Sequence, residues 1–254
     1  MDRSYRPLAV VTGSSTSIGL ELARLCAHKG LDLIIAADGP LIKDAARELS
    51  DTGVTCTVVQ CDLATAEGVQ QLIASIDGRP VDVLLANAGR GLSQAFLDQE
   101  LDDALRATHA NIDGTIRLIY EVARGMRARG QGRILITGAV ARGVPGTFQA
   151  VYNGSRAFID SFSVALSNEL KDVGVSVTCL MPGATEPDFF ERADRRDTQF
   201  RNGENTRAAD VARAGFDAMM QGDLKVVAAF GNRRRTASPL AGGASSAGLH
   251  RQMA

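Results

Sequence analysis

The sequence has no tryptophan, only three histidines and only four cysteines in 254 residues. The cysteines lack C-x-x-C spacing and the histidines are scattered, so we expect neither a metal site nor a redox pair. No apolar run approaches about 18 residues, and the amino terminus lacks the apolar core of a signal peptide. The 28 basic and 29 acidic residues nearly balance, which argues against nucleic acid or a membrane surface as a partner. We therefore expect a cytoplasmic protein that binds small molecules.

Short apolar runs alternate with amphipathic stretches from residue 8 to about residue 227. This alternation is typical of repeated βα units around a parallel sheet that helices cover on both faces. We predict a doubly wound α/β fold in one domain, residues 1–230. The segment 231–254 includes Arg233-Arg234-Arg235 and breaks the pattern, so we expect it to be flexible or packed on the same domain. A basic run this short is typical of a solvated face.

The apolar runs and the helical periodicity also give approximate bounds for the elements. Strands are predicted at 8–11, 31–36, 55–59, 81–86, 133–137, 175–180 and 224–228. Helices are predicted at 18–28, 41–50, 66–76, 111–129, 149–172 and 208–220.

A turn that contains glycine follows the first predicted strand and leads into the first predicted helix. It reads Thr12-Gly13-Ser14-Ser15-Thr16-Ser17-Ile18-Gly19. Glycine permits a tight turn and close backbone approach, and the free N–H groups of the helix attract a pyrophosphate. The alternative is a strand-to-helix turn with no ligand, but the position after the first strand favours a dinucleotide site.

Further segments follow at the ends of later strands. They are Asp62-Leu63 after the third, Asn87-Ala88-Gly89 after the fourth and Pro182-Gly183-Ala184-Thr185 after the sixth, with Tyr152-Asn153-Gly154-Ser155-Arg156 in between. In this order, over about 220 residues, they resemble the short-chain dehydrogenase/reductase family. The resemblance implies a Rossmann-like fold and an NAD(P) cofactor. The residues that it implies as cofactor contacts are Gly13, Ser15, Ser17, Ile18, Gly19, Asp38, Asp62, Leu63, Asn87, Ala88, Gly89, Tyr152, Arg156, Pro182, Gly183 and Thr185.

Several of these residues could instead have a purely structural role. Asp62 is also a candidate helix N-cap, and the segments at 87–89 and 182–183 are candidate turns. A cap or a turn can still present backbone groups to a ligand.

Two positions bear on how the cofactor is bound. Ser17 stands where the family has its middle glycine; its hydroxyl can bind phosphate or cap the helix, but its Cβ would make a positive φ cost about 1–3 kcal/mol. At the end of the second strand, Ala37 holds the family's usual selectivity position and Asp38 follows it. A carboxylate there would repel a 2′-phosphate, so we expect NAD in preference to NADP. The alternative is that Asp38 is an exposed turn aspartate.

Tyr152 and Arg156 are four residues apart, so they share one face of a helix, where the positive charge favours tyrosinate. The resemblance assigns proton transfer to Tyr152, places Arg156 where the family has lysine, and assigns Asn111 to a water relay. The alternative for Asn111 is a helix N-cap. The guanidinium of Arg156 retains the charge but cannot pass on a proton. The family's serine corresponds to Ala139, which cannot polarise a carbonyl, and Thr137 lies about 6–7 Å away along the strand.

Two functions follow from this pattern. The first is an oxidoreductase, with weak activity, that moves hydride between NAD(H) and a secondary alcohol or ketone, using Tyr152 as acid and base. The second is a dinucleotide-binding protein that acts as a sensor, scaffold or partner subunit, which Ser17, Ala139 and Arg156 together favour. The resemblance also implies a homodimer or homotetramer, with the helices at 111–129 and 149–172 as interface candidates.

Overall fold

The computed structural model describes residues 6–92, 94–139, 149–183, 206–229 and 232–236. Its strands are β1 (Leu8–Thr12), β2 (Asp32–Ala37), β3 (Cys56–Gln60), β4 (Val83–Ala86), β5 (Gly132–Thr137), β6 (Val175–Pro182), β7 (Lys225–Ala229) and β8 (Asn232–Thr236). They form one sheet in the order β3-β2-β1-β4-β5-β6-β7-β8. The first seven strands are parallel and β8 is antiparallel to β7. The predicted doubly wound α/β fold is confirmed.

Helices lie on both faces of this sheet. They are α1 (Ser17–His28), α2 (Ile42–Ser50), α3 (Ala66–Ile76), α4 (Leu101–Thr108), α5 (Thr115–Arg129), α6 (Ala150–Leu170) and α7 (Ala208–Gln221). Residues of α1, α2 and α7 share one apolar cluster, and residues of α3, α5 and α6 share the cluster on the opposite face. In the described part of the chain, no helix has both the length and the hydropathy needed to span a bilayer.

The strands carry apolar side chains on both faces of the sheet because helices cover both faces. In β1, Ala9 and Val11 belong to one cluster, while Leu8 and Val10 belong to the other. All four side chains are at most 4% exposed. Burial on both faces produces a continuous apolar run rather than alternation, which is why the sequence located these strands to within a few residues.

The strand order reverses at β1, and this reversal locates the crevice. β1 pairs with β2 on one side and with β4 on the other. The connections from these strands leave toward opposite faces, so a cleft opens beyond their carboxyl ends. The turn at 12–19 and the turn at 87–89 both meet there.

The helical region near Asn111 differs from the predicted single helix at 111–129. α4 comes first, a π-helical turn covers His109–Gly114, and α5 follows. Asn111 therefore lies inside helical structure, and the N-cap interpretation is wrong. The sequence does not reveal α4 because its buried residues are the small Ala104 and Ala107, whereas Leu101 and Leu105 are exposed.

The carboxyl-terminal arginines also depart from expectation. Residues 232–236 form β8, paired with β7 from Ala229↔Asn232 to Lys225↔Thr236. The run Arg233–Arg235 belongs to an edge strand of the same sheet. Main-chain hydrogen bonds hold such a strand, so an apolar pattern is not needed.

Candidate active site

The turn between β1 and α1 is built on close backbone contact. Gly13 has a φ of 66°, and a Cβ at Gly19 would collide with the Gly13 carbonyl. The α1 N-cap is Thr16, which makes no side-chain capping hydrogen bond. No acidic residue occupies the first turn of this helix. The amino end of α1 therefore presents the positive end of its dipole to the crevice without an internal anion.

Ser17 adopts the backbone conformation that its position in the motif demands. Its φ is 52°, in the left-handed region where a Cβ is unfavourable. Because Thr16 is the N-cap, the capping role considered for Ser17 is wrong. The neighbouring Ser15 and Ile18 are 6% and 8% exposed, and Ile18 belongs to the apolar cluster that contains α1.

The Asn87-Ala88-Gly89 turn is fastened to β1 and β5 by two threonine hydroxyls. Thr12 Oγ1 accepts hydrogen bonds from the backbone N–H groups of Asn87 and Ala88, both at 3.0 Å. On the other side, Thr137 Oγ1 donates to Asn87 Oδ1 at 3.0 Å. Thr12 was not predicted as a site residue, although it directly precedes Gly13. The Thr137 hydroxyl is therefore already engaged in a hydrogen bond within the protein.

Arg156 is buried at the carboxyl end of the sheet, with only 5% of its surface exposed. Its Nη1 donates to the Thr137 carbonyl at 2.8 Å, and its Nη2 lies so close to Gly89 that a Cβ there would collide with it. Its Cζ lies 5.2 Å from the centroid of the Tyr152 ring. The predicted pair on α6 is thus brought together, with the cation over the phenol ring.

Asn111 is 1% exposed and fastens the residue that follows Gly89. Its Oδ1 accepts from the Arg90 N–H at 2.7 Å. Its Nδ2 donates to the Arg90 carbonyl and to Ser155 Oγ, both at 3.0 Å. Ser155 Oγ in turn donates to the Tyr152 carbonyl at 2.8 Å. Because these internal bonds engage both ends of the carboxamide, a bound water would depend on the Asn111 main chain.

Ala139, two residues beyond the end of β5, makes a backbone hydrogen bond to α6. The Ala139 N–H donates to the carboxylate of Asp160, one helical turn beyond Arg156 on α6. Cys179 Sγ also donates to Asp160 Oδ1, at 3.5 Å. Burial raises the pKa of Asp160 even though both hydrogen bonds oppose the shift. Burial, followed by Asp160, raises the pKa of Cys179 to about 12, so this thiol is protonated and unreactive near neutral pH.

Two ion pairs lie beyond the carboxyl ends of β2 and β3. Asp38, at the end of β2, pairs with Arg90 at 3.0 Å, and Asp62, after β3, pairs with Arg106 of α4. Asp62 Oδ1 also accepts from the Ala64 N–H at 2.9 Å. Burial raises the pKa of Asp62, but the Ala64 N–H and then Arg106 outweigh it and leave the pKa below its ordinary value. Neither arginine was predicted, and the position of Arg90 immediately after Gly89 was the available signal.

Other predicted contacts are distributed as follows. Leu63 is 8% exposed in the core, and its carbonyl abuts Gly114 of the π-helical turn. Pro182 ends β6, and the Gly183 N–H donates to the Ala228 carbonyl at 2.9 Å. Thr185 lies outside the described residues.

A dinucleotide fits the chemistry of this crevice. The amino end of α1 suits a pyrophosphate, and Asp38 and Asp62 offer acceptors for hydroxyl or amino groups. Arg156 Nε is buried and has no hydrogen-bond partner within the described ranges. A buried N–H of this kind calls for an acceptor, and a ribose hydroxyl would be a suitable one.

Comparison with known proteins agrees with this geometry. A Streptomyces coelicolor relative is 35% identical over 187 residues, 70% of each chain. The "Very-long-chain 3-oxoacyl-CoA reductase" of Podospora anserina is 34% identical over 66% of this chain, which spans about half (52%) of that relative's length. The solved "Short-chain dehydrogenase from Sphingobium yanoikuyae in complex with NADPH" has a TM-score of 0.80 and 25% identity, with 87% of each chain covered. The model of the short chain dehydrogenase family matches residues 7–198, and the chain belongs to this family.

Proposed function

We propose that the protein is an NAD(P)-dependent oxidoreductase that interconverts a secondary alcohol and a ketone. The observation that carries the proposal is the placement of the Arg156 guanidinium, which lies over the Tyr152 ring and against Gly89. This contact joins the acid–base candidate on α6 to the turn that faces the cofactor crevice. Membership of the short chain dehydrogenase family supports the same reaction class.

The nicotinamide cofactor supplies the hydride chemistry, and the protein positions the reacting groups. In the reducing direction, the Tyr152 hydroxyl donates its proton to the carbonyl oxygen; in the oxidising direction, its phenolate accepts the alcohol proton. Arg156 lies over the Tyr152 ring and offers N–H donors to a ribose. Asn111 holds the backbone of Arg90 in place and thereby the wall of the crevice.

The substrate oxygen lacks the hydroxyl donor that the family places at position 139. Ala139 has no polar side chain, and its N–H is engaged with Asp160. Loss of one donor of this type lowers the rate by about 10²–10³-fold. We therefore expect weak activity, with Tyr152 as the side-chain donor to the carbonyl.

The alternative is a dinucleotide-binding protein without redox turnover, acting as a sensor, scaffold or partner subunit. Ala139 favours it, because that substitution removes substrate polarisation and leaves the cofactor-facing residues intact. The engagement of Arg156 with the Thr137 carbonyl favours it too, since a guanidinium cannot pass a proton.

For the cofactor itself, we propose that NAD binds more tightly than NADP. Asp38 stands at the end of β2, next to β1 at the strand-order reversal. A carboxylate there accepts hydrogen bonds from ribose hydroxyls and repels a 2′-phosphate.

The test separates binding from turnover. NADH and NADPH affinities are measured by calorimetry for the natural chain, Tyr152→Phe, Ala139→Ser and the double variant Ala139→Ser/Arg156→Lys. Turnover is followed at 340 nm with aliphatic, cyclic and aromatic ketones and the matching alcohols. We expect slow turnover that Tyr152→Phe lowers by about 10²–10⁴-fold and Ala139→Ser raises by about 10²-fold, with affinities unchanged within a fewfold.

Different results of this experiment would reject the two hypotheses. Nucleotide binding with turnover only in the double variant would reject the oxidoreductase and leave the non-catalytic alternative. Absence of binding to either nucleotide at low salt would reject both.

We also propose that the chain forms a homodimer or homotetramer through α5 and α6. Tyr120 of α5 is 60% exposed and Phe158 of α6 is 40% exposed. Phe158 stacks on Phe162 with ring centroids 5.9 Å apart, which extends the apolar surface of α6. A second copy is the simplest cover for this surface. Light scattering that gives a monomer mass would reject this assembly.

A further inference from the structure

We propose that Arg90 is a cofactor-specificity residue, which sets how strongly Asp38 excludes a 2′-phosphate from the adenosine end of the crevice. The inference rests on the dinucleotide site of the proposed function. It adds a residue that lies 52 positions from Asp38 in the sequence and that nothing in the local pattern connects with it.

The first observation is where the two side chains meet. Arg90 follows the turn after β4, and Asp38 follows β2; these two strands flank β1. Arg90 Nη2 lies 3.0 Å from Asp38 Oδ2. Neighbouring strands are about 4.8 Å apart, so the ion pair spans roughly two strand spacings across the carboxyl end of β1. This is the place where the ribose of the adenosine half lies in doubly wound nucleotide-binding folds.

The second observation is that Arg90 is held from behind. Asn111 bonds both the N–H and the carbonyl of Arg90, at 2.7 and 3.0 Å. Asn111 is itself almost fully buried and also bonded to Ser155. The backbone of Arg90 is therefore fixed to the interior, and only its side chain extends into the crevice. This anchoring distinguishes the pair from an ordinary surface ion pair whose two backbones are independently mobile.

The third observation concerns charge. With Arg90 in place, the Asp38 carboxylate faces a guanidinium, so its repulsion of a nearby phosphate is partly cancelled. A 2′-phosphate would also compete with Asp38 for the N–H donors of Arg90, and guanidinium–phosphate hydrogen bonds are strong. The side chains of Arg90 and Asp38 are 38% and 45% exposed, so solvent screens the pair and a ligand can reach it. Removal of Arg90 takes away the cation in direct contact with Asp38, leaves it only the longer-range charge of Arg106, and sharpens the preference for NAD.

The test is a pair of binding titrations with NADH and NADPH, which differ only in the 2′-phosphate, monitored by calorimetry on the full chain. Arg90→Met removes the charge while retaining length. We expect it to weaken NADPH binding about tenfold and to leave NADH binding within about threefold. Asp38→Asn should change the ratio of the two dissociation constants in the opposite direction. The matched control is Arg47→Met, which breaks the exposed 3.0 Å pair with Asp44 on α2 and should leave the ratio unchanged.

If Arg90→Met leaves the ratio of the NADPH and NADH dissociation constants unchanged, or shifts it toward NADPH, while the natural chain still binds nucleotide, the role of Arg90 is overturned. The proposed function is not affected by that result. A purely structural role would lower the thermal midpoint of Arg90→Met without changing the ratio, and this outcome overturns the proposal as well. If the natural chain binds neither NADH nor NADPH, the proposed function fails first and Arg90 has no cofactor to select.

Discussion

Replacing Ser17 with glycine should stabilise the protein although it deletes a side chain. The φ of Ser17 is 52°, and a left-handed conformation costs a residue with a Cβ about 1–2 kcal/mol. Glycine avoids this strain but loses about 0.5–1 kcal/mol more backbone freedom on folding. The difference predicts a gain of about 0.5–1 kcal/mol in the free energy of unfolding. For a chain of this length, that gain corresponds to a rise of about 1–4 °C in the thermal midpoint.

Two controls separate the backbone from the side chain and from the site. Ser17→Ala keeps the Cβ, so it should not reproduce the gain. Asp77 is the other non-glycine residue with positive φ in the described ranges, at 51°, and it ends α3 away from the crevice. Because aspartate tolerates this conformation better than most residues, Asp77→Gly should give a smaller gain.

The nucleotide gives a second measurement. Glycine at position 17 removes the Cβ where the turn approaches a pyrophosphate, so Ser17→Gly should tighten NADH binding and Asp77→Gly should not. Differential scanning calorimetry and titration calorimetry on the same samples give both results. A lower thermal midpoint for Ser17→Gly, or an equal gain for Ser17→Ala, would refute the strain argument.

Three other outcomes follow from single contacts. Thr12→Val leaves the Ala88 N–H without its Thr12 acceptor, whereas the Asn87 N–H keeps its bond to the Leu85 carbonyl. Urea unfolding should therefore show a loss of about 1–3 kcal/mol that Thr12→Ser does not reproduce. The pKa of Asp62 lies below its ordinary value, so its stabilisation is present above about pH 4 and is lost as pH falls through the folded-state pKa. The loss of thermal midpoint in Asp62→Asn should therefore be larger at pH 7 than at pH 3, and an equal loss at both would contradict this sign. Phe158→Glu should reduce the assembly measured by light scattering toward the monomer, and an unchanged mass would exclude Phe158 from the interface.

Most of the fold was predictable because its signals are local. Buried parallel strands such as β1 are continuous apolar runs, and the helices that cover them repeat apolar residues at helical spacing. The elements that were not predicted are those whose residues show no apolar periodicity in the sequence. α4 buries alanines and exposes Leu101, so its sequence shows no apolar stripe toward the core. β8 is held by main-chain pairing to β7, and three successive arginines do not predict a strand.

The site could be predicted only as far as its motifs extend. The turns around Gly13 and Asn87, and the spacing of Tyr152 and Arg156, are readable because each is a short run of sequence. The side chains that contact those turns could not be predicted in the same way. The bond from Asn111 to the backbone of Arg90 depends on a π-helical turn, and no periodicity in the sequence predicts that turn.

Ser17, Arg156 and Ala139, the three positions that we propose depart from the family pattern, differ in the contacts that surround them. At Ser17 the left-handed geometry is retained, so the Cβ strains the backbone and lies where the turn would approach a pyrophosphate. At position 156 the cation remains over the Tyr152 ring and is bonded to the Thr137 carbonyl. At Ala139 no side chain in the described ranges compensates, because the nearest strand hydroxyl, that of Thr137, is bonded to the turn after β4. Cofactor affinity and turnover are therefore separable here: Ala139→Ser should restore more catalysis than Arg156→Lys while leaving nucleotide binding the same, because serine supplies a donor that no other described side chain provides.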